Sequence, residues 1–183
     1  MFQKILVALD QSDMSQQVFE QALVLAKATN ASLMLVHVLS PIDQGYPSPV
    51  YPGAYSIYPT LNAEIVKEYM KEWEKSQQKG LEFLRSLADQ ATAAGVQTEF
   101  TQGLSNPSRT ICELAQTWGA DLIMMGRRGH IGVKEMVLGS VSNFVLHHAA
   151  CSVLVVQGQL KVSRQIDQVE QVDQAAVVGS AKR

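Results

Sequence analysis

Charge is scarce in this chain and balanced where it occurs: 17% of the 183 residues are charged and the net charge is -2. A nucleic-acid groove needs clustered Lys and Arg, so the chain carries no basic footprint for DNA or RNA. Cysteine is scarcer still, with Cys112 and Cys151 far apart and no CxxC pair. That excludes a disulfide-stapled fold, and the apolar neighbours of both residues predict buried, reduced thiols in a cytoplasmic protein. No apolar run approaches the roughly 20 residues of a membrane helix. The opening Met1-Phe2-Gln3-Lys4-Ile5 passes straight into a strand pattern, so no leader peptide is expected. Several catalytic signatures are missing as well. There is no GxxxxGK(S/T) phosphate loop, no GxGxxG after the first strand and no GxSxG elbow. His147 and His148 are adjacent, so on a helix they point apart and are not expected to chelate a metal.

What the chain does have is 46% hydrophobic residues arranged in alternating short and long periods. Ile5-Leu6-Val7-Ala8-Leu9 is a short apolar run ending at Asp10, as in a buried parallel strand. Ser12 or Asp13 can cap the helix that follows, where Val18, Ala22, Leu25 and Ala26 recur at helical spacing to about Thr29. Leu33 to Leu39 is the second strand. Residues Pro41 to Thr60 hold five prolines and four tyrosines (Tyr46, Tyr51, Tyr55 and Tyr58), which predicts a long surface loop. A long helical pattern runs from Leu61 to Ala94, with Gly80 marking a bend and Gly95 a stop. Val96 to Thr101 reads as the third strand, and Ser105-Asn106-Pro107 as the start of a helix with the core stripe Ile111, Leu114, Ala115 and Trp118. Asp121 to Met125, Gly139 to His148 and Ser152 to Gln157 complete the pattern as strand, helix and strand.

Strands alternating with helices predict an α/β fold, a five-stranded parallel sheet with helices on both faces. Residues 1–158 form that domain. Residues 159–183 are a polar tail in which Val162, Ile166, Val169 and Val172 have the spacing of a short amphipathic helix, with disorder as the alternative. Ligands of such sheets bind beyond the carboxyl ends of the strands, where strand order reverses. Asp10, Val38, Gly103 and Gly126 fall at those ends.

The same edge carries a glycine–serine pattern: Gly126-Arg127-Arg128-Gly129, nine residues, then Gly139-Ser140 at a helix start. Glycine removes the Cβ that blocks close approach to an anion, and a helix N-terminus presents free amides and a positive dipole end. Hydroxyls of Ser140 and Ser142 can add donors, and Arg127, Arg128 and His130 positive charge. Lys134 and Glu135 read as a solvated face. The Asp10 carboxylate can hold a ribose hydroxyl, an adenine amino group or a magnesium ion bridging phosphates, or else cap its own turn.

This pattern, G-x2-G-x9-G-S/T on Gly126, Gly129, Gly139 and Ser140, resembles that of the universal stress protein family, in its ATP-binding branch. Ile5 to Asp10, Leu35-Val36-His37-Val38 and the close from His147 to Val156 resemble its first, second and last strands. The resemblance implies ATP or AMP at the carboxyl edge, with Asp10 and the backbone of Val38 near ribose and adenine. It places Gly126, Gly129, Gly139, Ser140 and Ser142 around the phosphates, with Met125, Arg128 and Val141 beside them, and allows magnesium through Asp10. It also implies a homodimer through Ser152 to Gln157. The function expected is a nucleotide-binding regulatory protein with slow hydrolysis or none. The rival readings are an enzyme transferring AMP or phosphate, and a nucleotide-free interaction protein.

Overall fold

The central strand of the sheet is the first one the chain makes, and everything else is wound outward from it. The computed structural model describes residues 1–40, 59–127 and 138–157, with the side chains of 59–66 outside the description. The described elements are β1 (Lys4–Ala8), α1 (Asp13–Thr29), β2 (Ser32–Leu39), α2 (Pro59–Ala93), β3 (Thr98–Leu104), α3 (Pro107–Trp118), β4 (Leu122–Gly126), α4 (Ser140–His148) and β5 (Ser152–Val156). All pairings are parallel and the order is β3-β2-β1-β4-β5. The expected five-stranded sheet is therefore the one observed. The expected loop from Pro41 to Thr60 and the tail 159–183 fall almost wholly outside the described residues; Pro59 and Thr60 already belong to α2.

Successive residues of a strand face opposite sides, so two apolar faces require strands without a polar alternation. Ile5, Val7, Leu33, Leu35, Leu122 and Met124 pack on one side against Val18, Phe19 and Ala22 of α1 and Leu84, Leu87 and Ala91 of α2. Leu6, Met34, Val36, Ile123 and Met125 pack on the other side against Ile111 and Ala115 of α3 and Val145 of α4. Among the described residues, no helix is long and apolar enough to cross a membrane.

Helix ends explain where the element boundaries differ from the sequence reading. Gly95, at φ 83, ends α2, and the Val96 amide then donates to the Ala91 carbonyl at 3.0 Å. This consumes Val96 in the helix cap, so β3 starts at Thr98 and not at Val96. At its other end β3 stays paired with β2 as far as Leu39 opposite Leu104, three residues beyond the expected end. Asn30 (φ 55) and Gly119 (φ 73) close α1 and α3 in the same left-handed conformation. Asn106 caps α3 as expected, its Oδ1 accepting from the Arg109 amide at 3.3 Å, with Pro107 at the first helical position.

Gly80 has a different role from the expected bend. It sits against β2 and β3, where a Cβ would lie 2.0 Å from Gln102 Nε2 and 2.7 Å from His37 Nδ1. Those two side chains are themselves 3.2 Å apart, and His37 is buried. Only a residue without a side chain lets α2 settle over this polar pair. Cys112 and Cys151 are free thiols, half-buried and not fully buried as expected. Burial pushes both thiols up, Glu113 adding to the effect at Cys112, and Asp121 and Cys112 at Cys151.

Two outcomes follow from this packing. Gly80→Ala gains about 1 kcal/mol of helix propensity but forces a methyl into an occupied space, at a cost of about 1–3 kcal/mol. Urea unfolding is expected to show a net loss near 1 kcal/mol; a variant as stable as the parent would mean that the His37–Gln102 pair moves aside without cost. The raised thiols predict that alkylation of the folded protein near neutral pH is slower than that of the unfolded chain, and accelerates only as pH rises above the ordinary thiol range. Equal rates folded and unfolded would contradict this.

Candidate functional site

Beyond Ala8 and Gly126 the neighbouring strands β1 and β4 part company. The chain leaves β1 through α1 on one face of the sheet toward β2, and leaves β4 toward α4 on the other face and then β5. The crevice between them is the switch point of the sheet. Both helices begin there, so two helix N-termini aim unpaired amides and positive dipole ends at the same space.

Asp10 anchors one wall of that crevice. Its Oδ1 accepts from the Ser12 amide at 3.1 Å, from the Ser15 hydroxyl at 2.7 Å and from the Ser12 hydroxyl in a short contact. The Ser15 hydroxyl in turn accepts from the Asp10 amide at 2.8 Å. Ser12 occupies the N-cap position of α1, yet its side chain turns back to Asp10 and makes no cap bond. The expected capping by Ser12 is thus replaced by a knot around one carboxylate oxygen. No hydrogen bond to a described residue engages Oδ2.

Val38 contributes through its backbone, for a reason visible in the register. The Leu9 amide donates to the Val36 carbonyl at 2.9 Å, and β1 pairing ends with Ala8 opposite Val36. Alternate residues of a strand present their amide and carbonyl to the same neighbour. Val38 therefore presents both groups toward β1 at a level where β1 has already turned away at Asp10. Its side chain is buried in the core.

The second wall is the connection from β4 to α4. The Arg127 amide donates to the Val156 carbonyl at 2.9 Å, and the Gly139 amide donates to the Arg127 carbonyl at 3.0 Å. Ser142, 2% exposed, shares its hydroxyl proton between the carbonyls of Arg127 at 3.0 Å and Gly139 at 3.1 Å. The two ends of the connection are thereby clamped together. The expected hydroxyl donation from Ser142 to a phosphate is corrected here: burial and the nearby carbonyls commit that proton to the backbone. Gly139 is the N-cap of α4, with φ -60, and Gly126 is the last residue of β4, so neither relies on positive φ. Ser140 is exposed at the first helical position, and Val141 is half-buried against the core. Met125 is buried between Ala8 and Val155, so its side chain serves packing. The amides of residues 140–142 have no acceptor within α4, and no hydrogen bond to another described residue takes them up. Arg128, Gly129, His130, Lys134 and Glu135 lie outside the described residues.

Ser15 and the Arg127 carbonyl are the site elements that sequence reasoning missed. Ser15 had a legible signal, a second serine five residues after Asp10 on the inward side of the first helical turn. The carbonyl had none, because it acts through its backbone. Among the described residues, no group of three His, Cys, Asp or Glu side chains could hold a metal ion.

The universal stress protein family model matches residues 1–157. A universal stress protein of Synechocystis is 39% identical over 154 residues, covering 84% of this chain and 97% of the relative. Among solved structures, a universal stress protein in complex with cAMP aligns with a TM-score of 0.55 at 26% identity, covering 85% of this chain and 97% of that one. A universal stress protein family protein from Arabidopsis thaliana with AMP bound aligns with a TM-score of 0.57 at 20% identity, over 89% of this chain and 96% of the other.

Removing the Ser15 hydroxyl leaves the Asp10 amide without its acceptor in a site only 3% exposed. Ser15→Ala is expected to destabilise the protein by about 1–3 kcal/mol, read by urea denaturation. Hydrogen exchange at the Asp10 amide should speed up in the same variant; unchanged protection would mean that the knot does not hold the turn.

Proposed function

The chain belongs to the universal stress protein family, and from that premise we propose that it is a regulatory protein that binds an adenine nucleotide, ATP or AMP, at the carboxyl edge of its sheet. One observation carries this reading: the unmatched backbone edge of Val38 and the N-termini of α1 and α4 converge on one crevice at the switch point. A base offers donors and acceptors that complement a strand edge, and phosphates suit helix N-termini. The solved relatives carrying cAMP and AMP support the same ligand class.

In this reading Val38 pairs with the adenine through its amide and carbonyl. Asp10 takes a ribose hydroxyl on Oδ2 while Oδ1 stays in its knot with Ser12 and Ser15. The amides of Ser140, Val141 and Ser142, the Ser140 hydroxyl and the backbone around Gly126, Gly129 and Gly139 face the phosphates, with Arg128 adding charge. Magnesium would be held mainly by the phosphates themselves, with Asp10 as the protein oxygen nearest to them. Asp10 is a poor general base in that arrangement, because one of its oxygens is committed to Ser12 and Ser15 and the other to the ribose, leaving neither to position a water. The pocket therefore holds the nucleotide and hydrolyses it slowly.

The functional unit is residues 1–158, in the cytoplasm, with the tail 159–183 outside it. A homodimer forms through Ser152 to Gln157. β5 is an edge strand with β4 as its sheet neighbour, and its Leu154 is 41% exposed. An apolar edge of this kind is a template for a second copy.

Calorimetry with ATP, ADP, AMP and cyclic dinucleotides tests the reading. An adenine nucleotide should bind with 1:1 stoichiometry per chain, and Gly129→Leu should abolish binding without unfolding the protein. Turnover of ATP by pure protein should stay well below about 1 s⁻¹, the lower end of dedicated enzymes. Absence of binding to every nucleotide would favour the nucleotide-free interaction protein, and fast turnover the enzyme.

A further inference from the structure

Asp10 stands at the head of the central strand, between the two walls of the crevice. Ala8 closes β1 opposite Val36 of β2 on one side and Met125 of β4 on the other. Asp10 follows two residues later, with the open backbone edge of Val38 to one side and the connection from β4 to α4 to the other. Neighbouring strands lie about 4.8 Å apart. A ligand that reaches from the Val38 edge to the N-terminus of α4 therefore passes Asp10 at its middle. In a nucleotide, the part between base and phosphates is the sugar.

Ser15 grips Asp10 at two points. Its hydroxyl accepts from the Asp10 amide at 2.8 Å and donates to Oδ1 of the same residue at 2.7 Å. One oxygen atom thus ties the backbone of Asp10 to its side chain and leaves the carboxylate little freedom to rotate. Ser12 adds its amide at 3.1 Å and its hydroxyl, both to the same Oδ1. Every one of these donors belongs to the start of α1, so Oδ1 is pinned on the α1 side and Oδ2 is turned away from it. No described residue donates to Oδ2. Ser15 is 3% exposed and Asp10 half-buried, so the clasp lies beneath the oxygen that it presents.

The chemistry of Oδ2 limits what lies against it. An ionised carboxylate only accepts hydrogen bonds, and it repels a phosphate. Ribose offers two neighbouring O–H donors, and a deoxy sugar offers fewer. Without the clasp the Asp10 side chain rotates, and ordering it around a ligand costs affinity. With the clasp that cost is met in folding. The gain goes to a ligand with sugar hydroxyls and not to one without them.

We propose that Ser15, assisted by Ser12, is a positioning residue that holds the free oxygen of Asp10 for the sugar hydroxyls and thereby makes the site selective for ribonucleotides over their deoxy counterparts. The proposal rests on the nucleotide reading above and adds the residues that set its sugar specificity. Ser15 touches no ligand; it acts through Asp10.

The test measures, on the full chain by calorimetry, the affinity for AMP against dideoxy-AMP, which lacks both ribose hydroxyls, and for ATP against dideoxy-ATP. Lost hydrogen bonds to an ionised acceptor should make the dideoxy compound bind about 10–100-fold more weakly. Ser15→Ala should bring that ratio close to one, chiefly by weakening the ribonucleotide. Asp10→Ala should do the same, and adding Ser15→Ala to it should lower the ratio no further, because the serine acts through the carboxylate. A merely structural Ser15 would weaken both compounds together and keep the parent ratio. That result overturns the proposal and leaves the nucleotide reading standing, as does a parent that binds both compounds equally or a ratio that survives Asp10→Ala. If Ser15→Ala does not fold, Ser12→Ala decides. It removes one donor to Oδ1 at a half-buried position and should lower the ratio in the same direction; an unaltered ratio overturns the proposal. Failure of the parent protein to bind any adenine nucleotide sinks both readings together.

Discussion

Backbone hydrogen bonding runs out inside the sheet where β1 ends beside β2, and the rest of the site is arranged around that place. β1 sits in the middle of the order and stops at Ala8, while β2 continues to Leu39. The amide and carbonyl of Val38 are left facing a space and not a strand. Buried backbone groups without partners are costly. A fold that leaves such groups at a crevice mouth keeps them for water or a ligand. The parting of α1 and α4 to opposite faces opens that crevice, and the dipoles of both helices point into it.

Side chains around the crevice mostly hold the backbone in place. Ser15 and Ser12 immobilise Asp10, and Ser142 together with the Gly139 amide ties the start of α4 to the Arg127 carbonyl. Each of these polar groups satisfies a neighbour before any ligand arrives. Among the described residues, the groups left over are main-chain amides, the Val38 carbonyl, the Ser140 hydroxyl and one carboxylate oxygen of Asp10. Such a site offers charge and hydrogen-bonding edges mostly from its backbone, which is what the proposed role of holding a nucleotide asks of it.

Placement of α2 depends on a small contact far from the phosphate end. Gly80 lets the helix settle onto the buried His37–Gln102 pair. A glycine that weakens the helix locally thereby sets how closely it approaches the sheet. The same constraint explains a polar pair inside an otherwise apolar face: Gln102 provides the partner that buried His37 needs.

The order of elements, the parallel sheet and its two apolar faces were legible from periodicity alone, because Ile5 to Leu9 are apolar at every position, Leu33 to Leu39 at every position but His37, and the helices have clear stripes. Asp10, Gly126, Gly139 and Ser140 were legible as edge residues for the same reason: each lies at or just past the end of a strand, or opens a helix. Tertiary contacts decided the rest. Val96 became a cap residue because the Ala91 carbonyl needed a donor, and Gly80 became a contact residue because two strands put His37 and Gln102 beneath it. Ser142 turned from a ligand donor into a clamp because a carbonyl fifteen residues away in sequence lies 3.0 Å from its hydroxyl. Local sequence specifies which groups a residue can offer; only the folded chain determines which of them are already engaged.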